Sequence, residues 1–274
     1  MMRTSTYIFV SLALALTLAG APSRARAADG TVAGSDEATE PLAVPVPAAG
    51  AAASTGVFLP FSQSAAVAAQ GAYVTSVGGY DSARHTKSFE ASAEVRLWGP
   101  IAIRGGAVYT GATATLRPSF GARARLLDER RQGVDAGVGI FYRPEGLTEA
   151  EGEIETLVAV GRHVGASYLL GNLLYGQDPE GNERDGEIRL AALHPVGSRL
   201  LVGFDGRLRF DLGSQQAKLA AHQEPRMDAL VGPSATALLG PIALSVQGGG
   251  SAVQFPQQSK TYGLFAMCGM GTAF

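Results

Sequence analysis

One cysteine, Cys268, stands in the whole sequence. That count excludes a disulfide within the chain and a Cys-ligated metal site. Charge is also scarce, at 17% of residues, and there are only three lysines, Lys87, Lys218 and Lys260. The 22 basic and 24 acidic residues nearly cancel, which leaves no basic patch for a nucleic acid. There is a single Trp, Trp98. Past residue 27, no apolar run approaches the roughly 18 residues that a membrane-crossing helix requires.

What is present begins with an export signature. Arg3 precedes an apolar run at Tyr7–Ala19, and Ala25-Arg26-Ala27 forms an A-x-A cleavage site. Residues 1–27 therefore read as a signal peptide. Without it, 19 basic residues face 24 acidic ones. Residues 28–68 are acidic at first and then rich in Pro and Ala, as in a flexible exported linker. Its last part, within "VFLPFSQSAAVAAQG", is apolar and reads as a helical turn or a plug segment.

From about residue 69 to residue 274 the sequence alternates with period two, the mark of strands with two unlike faces. In 88–98, Phe89, Ala91, Ala93, Val95 and Leu97 share one face, and Glu90, Ser92, Glu94 and Arg96 the other. Twelve strands are predicted, at 69–79, 87–98, 101–110, 113–127, 132–143, 152–162, 165–175, 186–195, 198–211, 226–239, 241–252 and 262–274. Most reach ten residues, enough for a tilted strand to cross a bilayer, which takes about 9–11. Short connections such as "WGP", "RHVG" and "GP" alternate with long polar ones such as "GQDPEGNERDG" and "DLGSQQAKLAAHQEPRM". That parity belongs to a transmembrane barrel, whereas a sandwich has no reason to keep it. "TGAT" at 110–113 is the one short connection on the long side.

The last strand carries the sharpest signal. Leu264, Ala266, Cys268, Met270, Thr272 and Phe274 occupy alternate positions and end on an aromatic residue. In this the chain resembles proteobacterial outer-membrane β-barrel proteins, whose final strand is read by the barrel-assembly machinery. Thr272 departs from the usual apolar choice. The resemblance covers residues 69–274. It implies an all-β, transmembrane, antiparallel up-and-down barrel of about 12 strands in a Gram-negative outer membrane. Lipid and lipopolysaccharide would surround it, with both termini in the periplasm. Oligomeric state is left open.

On this reading the polar rows face the lumen. They carry Glu90, Glu94 and Arg96 on the second strand, Arg104 on the third, and Arg117, Arg123 and Arg125 on the fourth. Asp135, Glu153, Glu155, Glu187 and Arg189 follow, then Asp205, Arg207, Arg209 and Asp228. Buried carboxylates and guanidinium groups must pair, either as a lattice that braces the wall or as a polar pore that orients a solute. Tyr109, Tyr142 and Tyr262 fall at outer strand ends and Phe274 at the inner end, where aromatic rings suit a membrane interface. Trp98 lies beside an inner turn but on the lumen parity. Pro118 and Pro233 fall inside strands, where proline deletes a ladder hydrogen bond and marks a bulge or a rim. The strand at 165–176 is apolar at both parities, so its register stays open.

Catalytic, metal and cofactor chemistry find little footing. There is no Gly-x-Ser-x-Gly. His85 and His222 fall in outer loops, and His163 and His194 in opposite turns. His85 or His222 with Asp81 or Asp211 is the one arrangement that a rim hydrolase could use. "GVG" at 137–139 and "GMG" at 269–271 lie within strands and read as space left inside the barrel. The expected function is a passive or weakly selective small-solute channel. The alternatives are a structural or surface-interaction barrel with a salt-bridged, closed lumen, and an autotransporter-like translocator or outer-membrane hydrolase.

Overall fold

A computed structural model describes residues 59–67, 72–111, 115–144, 152–181, 183–213 and 225–274. The expected signal peptide, most of the expected linker and His222 lie outside the described residues. The elements in chain order are β1 (Ala72–Asp81), β2 (Thr86–Trp98), β3 (Ile101–Thr110), β4 (Thr115–Leu127), α1 (Glu129–Gln132), β5 (Asp135–Pro144), β6 (Gly152–Val164), β7 (Ser167–Gln177), β8 (Arg184–Val196), β9 (Leu200–Asp211), β10 (Met227–Leu239), β11 (Ile242–Gln254) and β12 (Thr261–Ala273). All twelve predicted strands are present, with ends shifted by a few residues.

Each strand pairs antiparallel with its sequence neighbours, and β1 pairs with β12 to close the barrel. The closing ladder runs from Tyr73 opposite Ala273 to Asp81 opposite Phe265. Beyond it, Phe274 N–H donates to Ala72 C=O at 2.9 Å. Closure removes the exposed edges that would otherwise pair with other chains. No helix among the described residues is long and apolar enough to cross a membrane.

The period-two pattern decides the two faces. Leu190, Phe204, Val231, Val246 and Leu264 are each more than half exposed on the outside of the wall. An apolar belt of this extent is unfavourable in water and well solvated by hydrocarbon. The charged rows turn inward, where Glu94, Asp205 and Asp228 are buried.

Local features depart from simple alternation, among them a register shift between Arg125 and Leu127 in the β4–β5 ladder. A register shift between Arg96 and Trp98 brings Trp98 opposite Ile101. The bulge turns Trp98 away from its lumen parity, and the ring is 66% exposed. Pro118 pairs with β3 opposite Ala107, but the β4–β5 ladder begins only at Phe120. Its missing N–H therefore falls at the rim, where no ladder bond is lost. Pro233 lies in a gap: the β10–β11 ladder passes from Val231 opposite Gly250 to Ser234 opposite Gln247. Gly232 and Gly249 face each other across that gap so closely that a Cβ on Gly232 would meet Gly249 Cα at 2.7 Å.

At one end of the barrel the connections are short, as at Gly99–Pro100 and Gly240–Pro241. The β4–β5 turn is longer and holds α1, capped by the Asp128 side chain, which accepts from Arg130 N–H. Gly133 ends α1 at a φ of 76°, a conformation that favours glycine. At the other end, Ser82–His85 folds in over the wall, with Ser82 N–H donating to Leu264 C=O and Ser82 Oγ accepting from Leu264 N–H.

Phe204→Arg places a guanidinium on the outer belt. Denaturant titration in lipid vesicles, followed by Trp98 fluorescence, is expected to show a loss of about 2–4 kcal/mol, the value for a barrel site at bilayer mid-depth. Phe204→Leu is expected to stay within about 1.5 kcal/mol of the parent.

Candidate functional site

The lumen is organised around a stretch of chain that belongs to no strand. Leu59–Val67 lies inside the barrel, with Leu59, Phe61, Ser62 and Ala65 buried. Of the two sequence readings of this apolar piece, the structure adopts the plug segment.

An irregular stretch of chain inside a barrel needs partners for its backbone groups. The wall supplies them. Asp205 Oδ2 accepts from Phe61 N–H at 3.0 Å, and its Oδ1 accepts from Ser62 Oγ at 2.7 Å. Asn172 does both jobs at Gln63: its Oδ1 accepts from the N–H at 2.6 Å, and its Nδ2 donates to the C=O at 2.8 Å. Arg189 Nη1 donates to Phe61 C=O at 2.8 Å, and Arg123 Nη2 donates to Ser64 C=O. Arg104 Nη1 reaches the Gln63 side chain at 3.0 Å.

Apolar seats complete the fit. Leu59 packs with Tyr168, Leu170, Ala191 and Leu193. Phe61 packs with Leu230 and Phe265, its ring centroid 5.8 Å from that of Phe265, and Arg207 lies over it at 5.4 Å. Ala65 packs with Phe141, Leu157, Ala159 and Leu174. This answers the open register of β7. Tyr168, Leu170 and Leu174 turn inward because the segment covers them, and Asn172 is the polar break in that row. Gly137 is the contact that admits the segment, since a Cβ there would stand 2.7 Å from Ala65 O.

Above the segment, toward the long connections, is a cavity of about 280 Å³ with Pro60 and Phe61 among its lining residues. Glu90, Arg117, Glu153 and Arg209 also line it, with Glu155, Glu187, Arg189 and Arg207. Its charges are cross-linked. Arg143 pairs with Glu155 at 2.9 Å, and Arg189 pairs with Glu187. Arg209 pairs with Asp185, and both Arg84 and Arg207 converge on Asp228. Arg84 comes from the connection over the mouth. Burial pushes its guanidinium pKa down, and the Asp228 carboxylate opposes that shift.

The remaining charged residues of the lumen rows lie at or below the level of the segment. Arg104 bonds Ser92 at 2.9 Å and Glu90 at 3.4 Å. Glu94 and Arg123 form a buried pair at 2.8 Å. Arg125 pairs with Asp135 and Asp128 beside α1. Arg96 stands apart, exposed at the short-turn rim with its Nε donating to Gly99 C=O at 2.7 Å. Tyr109 and Tyr262 are exposed near the long-connection rim, Trp98 and Phe274 at the opposite rim. Tyr142 is half-buried and packs at a tilt against Phe120, with ring centroids 5.5 Å apart.

No protein-family model matches the chain, and no curated protein matches it. Solved structures do. The NanC porin superposes with a TM-score of 0.54 at 9% identity, covering 73% of this chain and 100% of its own. The chain shares that porin's fold. The KdgM porin, solved in complex with disordered oligogalacturonate, gives 0.49 at 7% identity, covering 74% and 99%.

Asp81, which sequence reasoning set beside His85, instead accepts from Ser251 Oγ at 2.7 Å and Ala83 N–H at 2.9 Å. His163 pairs with Glu129 at 2.7 Å, and His194 Nδ1 lies 3.0 Å from Ser167 Oγ, both at the exposed short-turn end. Among the described residues no group of three or more His, Cys, Asp or Glu is placed to hold a metal ion. Sequence reasoning missed Asn172, Ser62 and Gln63. The visible signal for Asn172 was an amide in the middle of the apolar run 168–176.

Glu94→Gln leaves the Arg123 guanidinium buried without its carboxylate. Breaking such a pair costs about 3–5 kcal/mol, and denaturant titration is expected to read that loss. Glu94→Leu with Arg123→Met, which removes both charges, is expected to recover most of it.

Proposed function

We propose that the protein is a passive, weakly selective channel for small solutes in a Gram-negative outer membrane. In this reading both termini are periplasmic, lipid and lipopolysaccharide surround the apolar belt, and the barrel-assembly machinery inserts it. The observation that carries the reading is the width of the lumen. Side chains just fill a barrel of about eight strands. This twelve-stranded wall encloses a stretch of chain and a cavity of about 280 Å³ besides its own side chains. That volume suits a small molecule. Paired acids and arginines along it favour neither anions nor cations strongly. The porin name borne by the superposing structure supports the same reading.

The buried segment favours one second reading, a barrel that stays shut and serves the envelope structurally. Current decides between the two. In planar bilayers the full chain is expected to give conductance steps with a reversal potential near zero in a salt gradient. Gln63→Pro deletes the N–H that donates to Asn172, and is expected to raise the open fraction. Silence from both chains, with each shown by its heat-dependent gel shift to be an intact barrel, would overturn the channel reading.

A further inference from the structure

We propose that the ring formed by Arg104, Arg123, Asn172, Arg189 and Asp205 is a peptide-binding site. Leu59–Val67 occupies it in cis, and the ligand class it takes in trans is an uncharged peptide of similar length. The inference goes beyond the channel reading and requires no current.

The contacts are those of peptide recognition. Asp205 and Asn172 accept backbone N–H groups, while Arg189, Arg123 and Asn172 donate to backbone carbonyls. An amide side chain that both donates to and accepts from one residue copies the exchange between paired strands. The occupant carries no charge, so it leaves the ion pair of Glu94 with Arg123 and that of Glu187 with Arg189 in place. Charged lumen walls are common to water-filled barrels, but buried Leu170, Leu174, Leu193 and Phe265 facing inward are not. They make sense as seats for peptide side chains.

The seats also define the ligand. An aromatic residue packs against Phe265 under Arg207, where the tilted ring contact and the cation both contribute. A hydroxyl follows it, bonded to Asp205. Four positions after the aromatic, the residue must be small, because Ala65 is almost wholly buried and its carbonyl abuts Gly137. The site therefore reads an aromatic-Ser-x-x-small order on a backbone that bends at 60–61 and 65–66.

The test uses the full chain with its own segment disabled. Gln63→Pro removes the N–H given to Asn172, and Ala65→Trp is too large for its seat. The probe is a fluorescent synthetic peptide, LPFSQSAAV, and the readout is anisotropy with detergent-solubilised protein. The double variant is expected to bind it, and adding Asn172→Leu is expected to weaken binding by about tenfold or more, the loss of paired hydrogen bonds in a dry site. A scrambled peptide of the same composition is expected not to bind. The unaltered chain is expected to take up little probe, since its site is filled. No binding by an intact, heat-modifiable double variant, or equal binding of the scrambled peptide, would overturn the proposal.

A second measurement leaves the segment in place. In a chain with Cys268→Ser and Ser62→Cys, the buried thiol is expected to react with a water-soluble maleimide about tenfold or more slower than the same thiol in the unfolded chain. Adding Asp205→Asn is expected to speed the reaction. Labelling at the unfolded rate without that change would show the segment unbound. A silent barrel that passes both measurements removes the channel reading alone, and a conducting barrel that fails them removes this inference alone.

Discussion

The antiparallel pairing of β1 with β12 is the constraint on which the rest depends. In hydrocarbon, an unpaired backbone N–H or C=O has no water to turn to, so a sheet can cross a membrane only when closed. Closure of this wall sets the width of the lumen. Twelve strands leave more room than their inward side chains fill, and everything inside the barrel answers that excess.

Two fillings meet there. Toward the rims the space is bridged by guanidinium–carboxylate pairs, Arg125 with Asp135 at one end and Arg84 with Asp228 at the other. Between them lies Leu59–Val67, a neutral strip whose backbone groups are paired by side chains, where a strand would use a neighbouring strand. Polar side chains that would be costly if left alone in a narrow lumen are satisfied by the segment, and the segment by them. Each makes the other tolerable. The tie to one position is tight because Gly137 permits close approach at Ala65 and Asn172 matches a single residue's two backbone groups.

Most of the wall was legible in the sequence. Alternation revealed twelve strands, connection lengths revealed their parity, and the terminal Phe274 revealed the closing strand. The exceptions were local. Trp98 was expected at an interface although its parity pointed to the lumen; the bulge after Arg96 removes that conflict, and nothing in a period-two pattern announces one extra residue. β7 was ambiguous for a better reason. Its inward leucines look like lipid-facing ones because they too meet apolar groups, only those of the segment.

The sequence by itself determined the strands, the inside and outside of all but β7, and the charged character of the lumen. These follow from local periodicity, which each strand carries independently of the others. Only the tertiary structure decided which acid faces which arginine, since those partners sit on different strands and their meeting depends on ladder register. The place of Leu59–Val67 was likewise beyond the sequence. An uncharged, Pro-containing stretch has no periodicity of its own. Its conformation comes from Asn172, Arg189 and Asp205, which lie more than a hundred residues away and converge only when the barrel closes.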